Sequence, residues 1–270
     1  MRLTVFAALL GLFGFAAGSA ATADTKEVRL SYYGYLGDIQ IGQLEVSFRL
    51  PPNGVLAMPY NVRADLTLAG AYGQLLPFHW QGEAAGGTGQ YGVKPSRYQS
   101  FMNLLGSQEA LAMTYRPNGA VEVVSEPPTL ESSRAAALGL GKGTVDPLSA
   151  AVAIVDAMIR NGNCAAALPV FDGARRFDLR VSPAGQDVVE RTYFSTYEGP
   201  AERCRVEVDL IAGFQADAMS SGFYPDQTDL WLASVMDKAP PIPVRVLARS
   251  RAGLMRVELV EVRTLAAAAP

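Results

Sequence analysis

The stretch Leu44-Glu45-Val46-Ser47-Phe48-Arg49-Leu50 decides the fold: apolar Leu44, Val46, Phe48 and Leu50 alternate with Glu45, Ser47 and Arg49, and Gln43 extends the polar set. Successive side chains of a strand point to opposite faces, so a period of two puts every apolar residue on one face and leaves the other to water. The pattern recurs at Tyr60, Val62, Ala64, Leu66 and Leu68, at Phe177, Leu179 and Val181, at Cys204, Val206, Val208 and Leu210, and at Met255, Val257 and Leu259. Strands with one wet face belong to antiparallel sheets, because parallel strands are usually covered on both sides. Turn signals separate them at meander spacing: Gly37-Asp38, Pro51-Pro52-Asn53-Gly54, Pro117-Asn118-Gly119, Pro183-Ala184-Gly185 and Ala252-Gly253.

One helix interrupts the strands. Asp146 suits the cap, Pro147 the first turn, and Leu148, Ala151, Val152, Val155 and Ile159 recur at helical spacing before Asn161-Gly162, which predicts a helix over residues 146–160. Its apolar stripe needs a partner, and among half-wet strands that partner is the concave face of the sheet. There it either plugs the core or gates a cavity. Residues 125–143, with Pro127-Pro128 and several glycines, read as a flexible crossing, and 215–227 as a second long connection. The expected fold is mainly β, a curved antiparallel sheet or half-barrel with one principal amphipathic helix over its concave face.

The N-terminus sets the compartment. Met1-Arg2, the apolar run Leu3 to Ala17 and the small residues Ala21-Thr22-Ala23 have the layout of a cleaved secretory signal over residues 1–23, leaving 24–270 as a single β-rich domain. The run is shorter than the roughly 20 residues of a spanning helix, and no cysteine near the cleavage site offers a lipid acceptor. The expected product is a soluble periplasmic chain with no transmembrane anchor. In an oxidising compartment the only two cysteines, Cys164 and Cys204, read as a disulfide, worth roughly 4 kcal/mol on the chain-entropy estimate. A redox role would want Cys-x-x-Cys spacing, which they lack.

Removing Arg2 with the leader lowers Lys+Arg from 23 to 22 against 26 Asp+Glu, about four net negative charges. Nucleic acid is thereby disfavoured, since the longest basic cluster is Arg175-Arg176 with Arg180. Catalytic signals are thin. His79 is the single histidine, between Phe78 and Trp80 with Glu83 nearby, so no histidine metal cluster exists and no Gly-x-Ser-x-Gly elbow supplies a nucleophile. The pairs Asp226/Asp229 and Glu258/Glu261 are the available carboxylates for acid/base work, and read as solvated. Gly139-Leu140-Gly141-Lys142-Gly143-Thr144 departs from a phosphate loop: Ala136 stands where the first glycine belongs and Gly143 follows the lysine. Gly82 to Gly92 reads as a loose hairpin tip. No metal and no cofactor is expected.

Aromatic surface remains. Tyr32, Tyr33 and Tyr35 put phenols on both faces of the first strand, and Trp80 and Trp231 stand in apolar-rich strands; these five are the candidate ligand-binding residues, as rings with one wet and one dry end. Met102, Met113, Met219 and Met236 serve as gap-fillers or as an adaptable lining. Tyr32-Tyr33-Gly34-Tyr35-Leu36-Gly37 leading to Ile41-Gly42, Asp146-Pro147-Leu148-Ser149-Ala150, Val170 to Leu179, and Trp231-Leu232 with Ile242-Pro243-Val244-Arg245 and Gly253 resemble the exported bacterial family called domain of unknown function 3108. Over about the last 40 residues the chain also resembles a hairpin of the half-barrel carriers of outer-membrane lipoproteins. Neither resemblance brings catalytic or ligand residues. The expected function is non-catalytic periplasmic binding of an apolar or amphipathic envelope component such as a lipid or acyl chain. The alternatives are an envelope assembly protein that contacts another envelope protein without a cavity, and a carboxylate-dependent hydrolase of envelope polymers.

Overall fold

The alternating segments all become strands in the computed structural model, which describes residues 26–50, 59–214, 225, 227–237, 239–251 and 253–266. The expected leader, the Pro51 to Gly54 turn, Met219, Asp226 and nearly all of 215–227 lie outside the described residues. Seven strands come first: β1 (Lys26–Leu36), β2 (Ile39–Leu50), β3 (Tyr60–Leu68), β4 (Phe78–Gly89), β5 (Gly92–Leu104), β6 (Ser107–Tyr115) and β7 (Val121–Glu126), with the short helix α1 (Gly70–Leu75) between β3 and β4. Helices α2 (Leu130–Ala137) and α3 (Pro147–Asn161) follow, then β8 (Ala166–Phe171), β9 (Arg176–Val189), β10 (Gly199–Ala212), β11 (Gln227–Ala233), β12 (Ile242–Ser250) and β13 (Gly253–Ala266). All thirteen form one sheet in the order 7-6-5-4-3-2-1-13-12-11-10-9-8, with antiparallel neighbours throughout.

Helix α3 shows how that sheet is curved. Leu148 and Val152 pack with Tyr60, Val62, Ala84, Tyr98 and Met113 from β3 to β6, while Ile154 and Met158 pack with Val181, Cys204, Leu230 and Leu232 from β9 to β11. Both halves of the sheet therefore face one helix, and the face they present is the concave one. Asp146 caps α3, its side chain accepting from the Ser149 amide, and Gly162 ends it in the left-handed conformation at φ 69°. The stripe read from the sequence is rotated by about one residue. Ala151 and Ile159 face water, and the buried face is Ser149, Ala150, Ala153, Ile154 and Ala157. Small residues let the helix backbone approach the sheet closely, and the larger side chains wedge out to either flank.

The sheet curls without closing, since β7 and β8 do not pair with each other. The chain before α3 laces them together instead. Val145 bridges β8 in parallel, its amide donating to Pro169 O and its carbonyl accepting from Phe171 N, each at 2.9 Å, while Gly143 N donates to Gly119 O at the β6–β7 turn. Gly141 lies between the edges, where an added Cβ would stand 2.9 Å from both Val121 and Phe171. The glycines that resemble a phosphate loop are thus spacers between two strand edges.

Three further expectations are corrected. Gly82 to Gly89 is not a loose tip but the interior of β4, paired from Gly82 opposite Ser100 to Gly89 opposite Gly92. Pro183-Ala184-Gly185 is not a turn; it is a bulge within β9, with Gly185 at φ 100° and the register slipping between Cys204 and Glu202 of β10. The crossing over 125–143 carries α2, capped by the Thr129 hydroxyl. Strand β11 also departs from the half-wet pattern, with Asp229 to Ala233 buried on both faces. The connection 190–198 lies beside β12, β13 and β1, where Arg245 donates to Glu190 O, Phe194 sits 4.6 Å from the Tyr35 ring and Thr196 bonds the backbone of Leu259 and Val260.

The disulfide joins Cys164, just past α3, to Cys204 in β10 across 40 residues, and both half-cystines are fully buried. Replacing both with serine is expected to lower the unfolding free energy by roughly 4 kcal/mol, read as a lower urea midpoint that reductant reproduces in the wild type. An unchanged midpoint would show that α3 is held by packing alone.

Candidate functional site

A cleft of about 1090 Å³ opens where the two ends of the sheet approach each other. Trp80 of β4 and Met102 of β5, directly paired, form one wall with Leu111 of β6; the start of α2, Pro147 and the β8–β9 turn with Phe214 form the other. Trp80 reaches the cleft because of the residue two positions along: a Cβ on Gly82 would stand 2.6 Å from the indole and 3.2 Å from Leu148. The ring therefore lies across Gly82, against α3. Charge is confined to Glu109, Glu131, Asp172 and Arg175. Arg175 is tied to Asp172 at 2.8 Å with its guanidinium 5.9 Å from the Phe214 ring centre. An apolar wall with a charged rim suits a molecule that is itself amphipathic.

Behind the cleft lies a buried polar cluster. Ser149 Oγ and Tyr60 Oη are 2.6 Å apart, Ser149 Oγ donates to Asp146 Oδ2 at 2.6 Å, and Ser149 N donates to Oδ1 at 2.8 Å. Burial raises the Asp146 carboxyl above the usual range, against the lowering effect of its Ser149 hydrogen bonds. Burial likewise raises the phenols of Tyr60 and Tyr115, with the Asp146 charge adding to both, and pushes Tyr98 up to about 12. These groups lock the start of α3 to β3.

The candidate aromatics do not converge. Of the five, the cleft lining includes Trp80 alone. Tyr32 is buried on the inner face, where its hydroxyl donates to Pro243 O at 2.9 Å. Tyr33 and Tyr35 lie on the outer face opposite Glu258 and Arg256. Trp231 is buried on the outer side, its Nε1 donating to Asp187 at 3.2 Å under Arg203. Sequence reasoning missed Leu111, Phe214 and the Asp172–Arg175 turn, because only the curl of the sheet brings them to β4.

The acids are engaged in ion pairs. Asp229 takes Arg205 at 2.7 Å, and its carboxyl is lowered: burial raises it, and hydrogen bonds from Arg205 and Gln227 with the charges of Arg203 and Arg205 outweigh that. Glu258 is not solvated; it is fully buried against Arg245 at 2.8 Å, with burial raising its carboxyl despite the arginine, while Glu261 pairs with Arg263. His79 bonds Asp65 at 3.0 Å, and Glu83 instead holds Asn61, Arg63 and Arg97. A shallow outer groove of about 540 Å³ runs across this network. No group of three or more His, Cys, Asp or Glu among the described residues is arranged to hold a metal ion.

Asp146 gives a pH signature. Its folded-state pKa lies above the unfolded value, so its stabilising contribution is complete below the ordinary carboxyl range and is lost as pH rises through the raised value. Asp146→Asn keeps an acceptor for the Ser149 amide and removes the charge. The variant is expected to gain on the wild type in unfolding free energy as pH rises from about 4 to neutrality, and a difference that is flat or falls with pH would contradict the assignment.

Comparison with known proteins places this geometry. Among solved structures, a β-barrel-like protein of domain of unknown function 1849 from Brucella abortus aligns over 90% of this chain and 98% of its own, with TM-score 0.50 and 13% identity, a likeness of fold. A putative outer membrane lipoprotein-sorting protein domain from Vibrio parahaemolyticus aligns over 92% and 88% with TM-score 0.25 and 6% identity. No curated protein matches the sequence. Among the described residues no helix is long and apolar enough to cross a membrane. The model of the family "Protein of unknown function (DUF3108)" matches residues 32–260, and the chain belongs to that family.

Proposed function

We propose that this protein is a non-catalytic, periplasmic binding protein that holds an apolar or amphipathic envelope component, a lipid or acyl chain, in the cleft beside Trp80. The observation that carries this reading is the cleft itself: about 1090 Å³ with Trp80, Met102, Leu111 and Phe214 for an alkyl chain and charge at its margin for a polar head. That volume lies just above the range of small-molecule sites, roughly 300–1,000 Å³. The disulfide between buried cysteines supports an oxidising compartment. The engagement of Asp229, Glu258 and Glu261 with arginines supports a binding role over hydrolysis.

The two tryptophans make the test direct. Trp231→Phe leaves Trp80 as the single indole. Titration with a fatty acid brominated along its chain is expected to quench that emission saturably, and Met102→Glu is expected to weaken the apparent affinity at least tenfold, about 1.4 kcal/mol, by burying a charge in the apolar wall. Native mass spectrometry of protein purified gently from the periplasm should carry the bound lipid. Absence of quenching together with a clean apo mass would retire the binding reading.

A further inference from the structure

The end of the sheet nearest Trp80 and Met102 presents a surface that folding alone does not explain. Two neighbouring connections meet there: Ala69-Gly70-Ala71-Tyr72-Gly73-Gln74-Leu75-Leu76-Pro77, which contains α1, and Asn103-Leu104-Leu105-Gly106-Ser107-Gln108, the β5–β6 turn. They touch through Leu105 N donating to Pro77 O at 2.9 Å. Neither contains a charged residue, in a chain where 18% of residues are charged. Their apolar side chains point outward: Leu75 is 81% and Leu105 64% exposed, Tyr72 and Leu76 are also exposed, and α1 buries none of its residues. Val124, by contrast, stands between Glu122 and Glu126.

Leu105 carries a second cost. Its φ of 53° puts a branched L residue in the left-handed region, and it is the described non-glycine residue with positive φ. Tight hairpins favour Asn or Gly there, and leucine is disfavoured. The Leu105 backbone closes the β5–β6 hairpin and bonds Pro77, but its exposed side chain adds nothing to the fold, and backbone strain of this kind clusters at functional sites. Beside these turns, Gly37 N bonds Leu254 O, which brings the β12–β13 hairpin and its exposed Arg249 and Arg251 to the same end. Uncharged apolar tips, with Arg249, Arg251 and the exposed Asp38 of the β1–β2 turn at the same end, complement the boundary between lipid headgroups and acyl chains, where apolar groups are buried and charged groups meet the headgroups.

We infer that this end of the protein docks on a lipid bilayer through Tyr72, Leu75, Leu76 and Leu105. The choice of a bilayer over a protein partner rests in part on the cleft reading, because Trp80 and Met102 stand a few residues from these tips and docking would open the cleft toward the lipid. Net negative charge keeps the attraction from being a general electrostatic one, so contact depends on the apolar tips.

The test is flotation of the oxidised, full-length mature protein with vesicles of phosphatidylethanolamine containing a minority of phosphatidylglycerol. The wild type is expected to float, and the Leu75→Ser/Leu105→Asn variant to lose at least tenfold in partitioning. Its thermal midpoint should be unchanged or raised, since both sites are exposed and asparagine tolerates positive φ. A wild type that stays at the bottom of the gradient, or a double variant that floats equally well, overturns the inference. A concentration-dependent dimer that the double substitution dissolves, without flotation, assigns the patch to self-association and overturns it as well. Brominated fatty-acid quenching of Trp80 in the Trp231→Phe background reports the cleft separately. Quenching without flotation leaves the cleft and removes the bilayer; flotation without quenching does the reverse.

Discussion

Helix α3 is the contact on which the architecture depends, because it is packed by strands from both ends of the sheet. Half-wet strands must bury one face, and thirteen of them in line present more apolar surface than an open sheet can shield by itself. Curling the sheet about one helix buries the inner face of β3 to β6 and of β9 to β11 on the same element. Ser149, Ala150, Ala153 and Ala157 set the distance of approach; Leu148 and Ile154 on opposite flanks divide the helix between two clusters. The disulfide fixes the far end of α3 to β10, and the Asp146–Ser149–Tyr60 cluster fixes its start to β3. Both attachments run from the helix to strands far from it in sequence, which is where a curved sheet needs ties.

The open edge follows from the same arrangement. The chain leaves β7 at one edge and re-enters at β8 on the other, so α2, the lacing segment and α3 occupy the space where a barrel would pair its edges. Gly141 keeps the lacing segment narrow between Val121 and Phe171. Exposed strand edges invite pairing with other chains, and covering them with connecting chain is an established remedy. The same cover forms one wall of the cleft, so edge protection and the ligand-sized space arise from one crossing.

Much of this was legible in the sequence. Alternation at Leu44 to Leu50 and its repeats gave the strands and their antiparallel character, Asp146-Pro147 and Gly162 gave the helix, and the pair Cys164 and Cys204 gave the tie. What was not legible depended on neighbours. The buried stripe of α3 lies about one residue from the one its large side chains suggest, because close approach to a sheet selects small residues. Gly82 and Gly86 looked like turn residues, yet they are strand positions whose missing side chains admit the Trp80 ring and the Tyr60 hydroxyl. Trp231 reads as available for a ligand, and only the sheet's register shows it covered by Asp187 and Arg203 of the neighbouring strands. Trp80 alone of the candidate aromatics joined the cleft, since convergence is a property of the curl and not of any strand.

The cleft lies between the packed core and the turns at one end of the sheet. Deep in the core, Tyr60, Val62, Tyr98 and Met113 fill the space between β3 to β6 and α3. Nearer the turns, the same inner face carries Gly82 opposite Ser100, and the Trp80 ring lies across Gly82 against Leu148 in the first turn of α3. Trp80, Met102 and Leu111 then stand as walls around volume they do not fill. Alternation sets which side chains of β4, β5 and β6 face inward, and the curl of the sheet brings them opposite α2, Pro147 and Phe214.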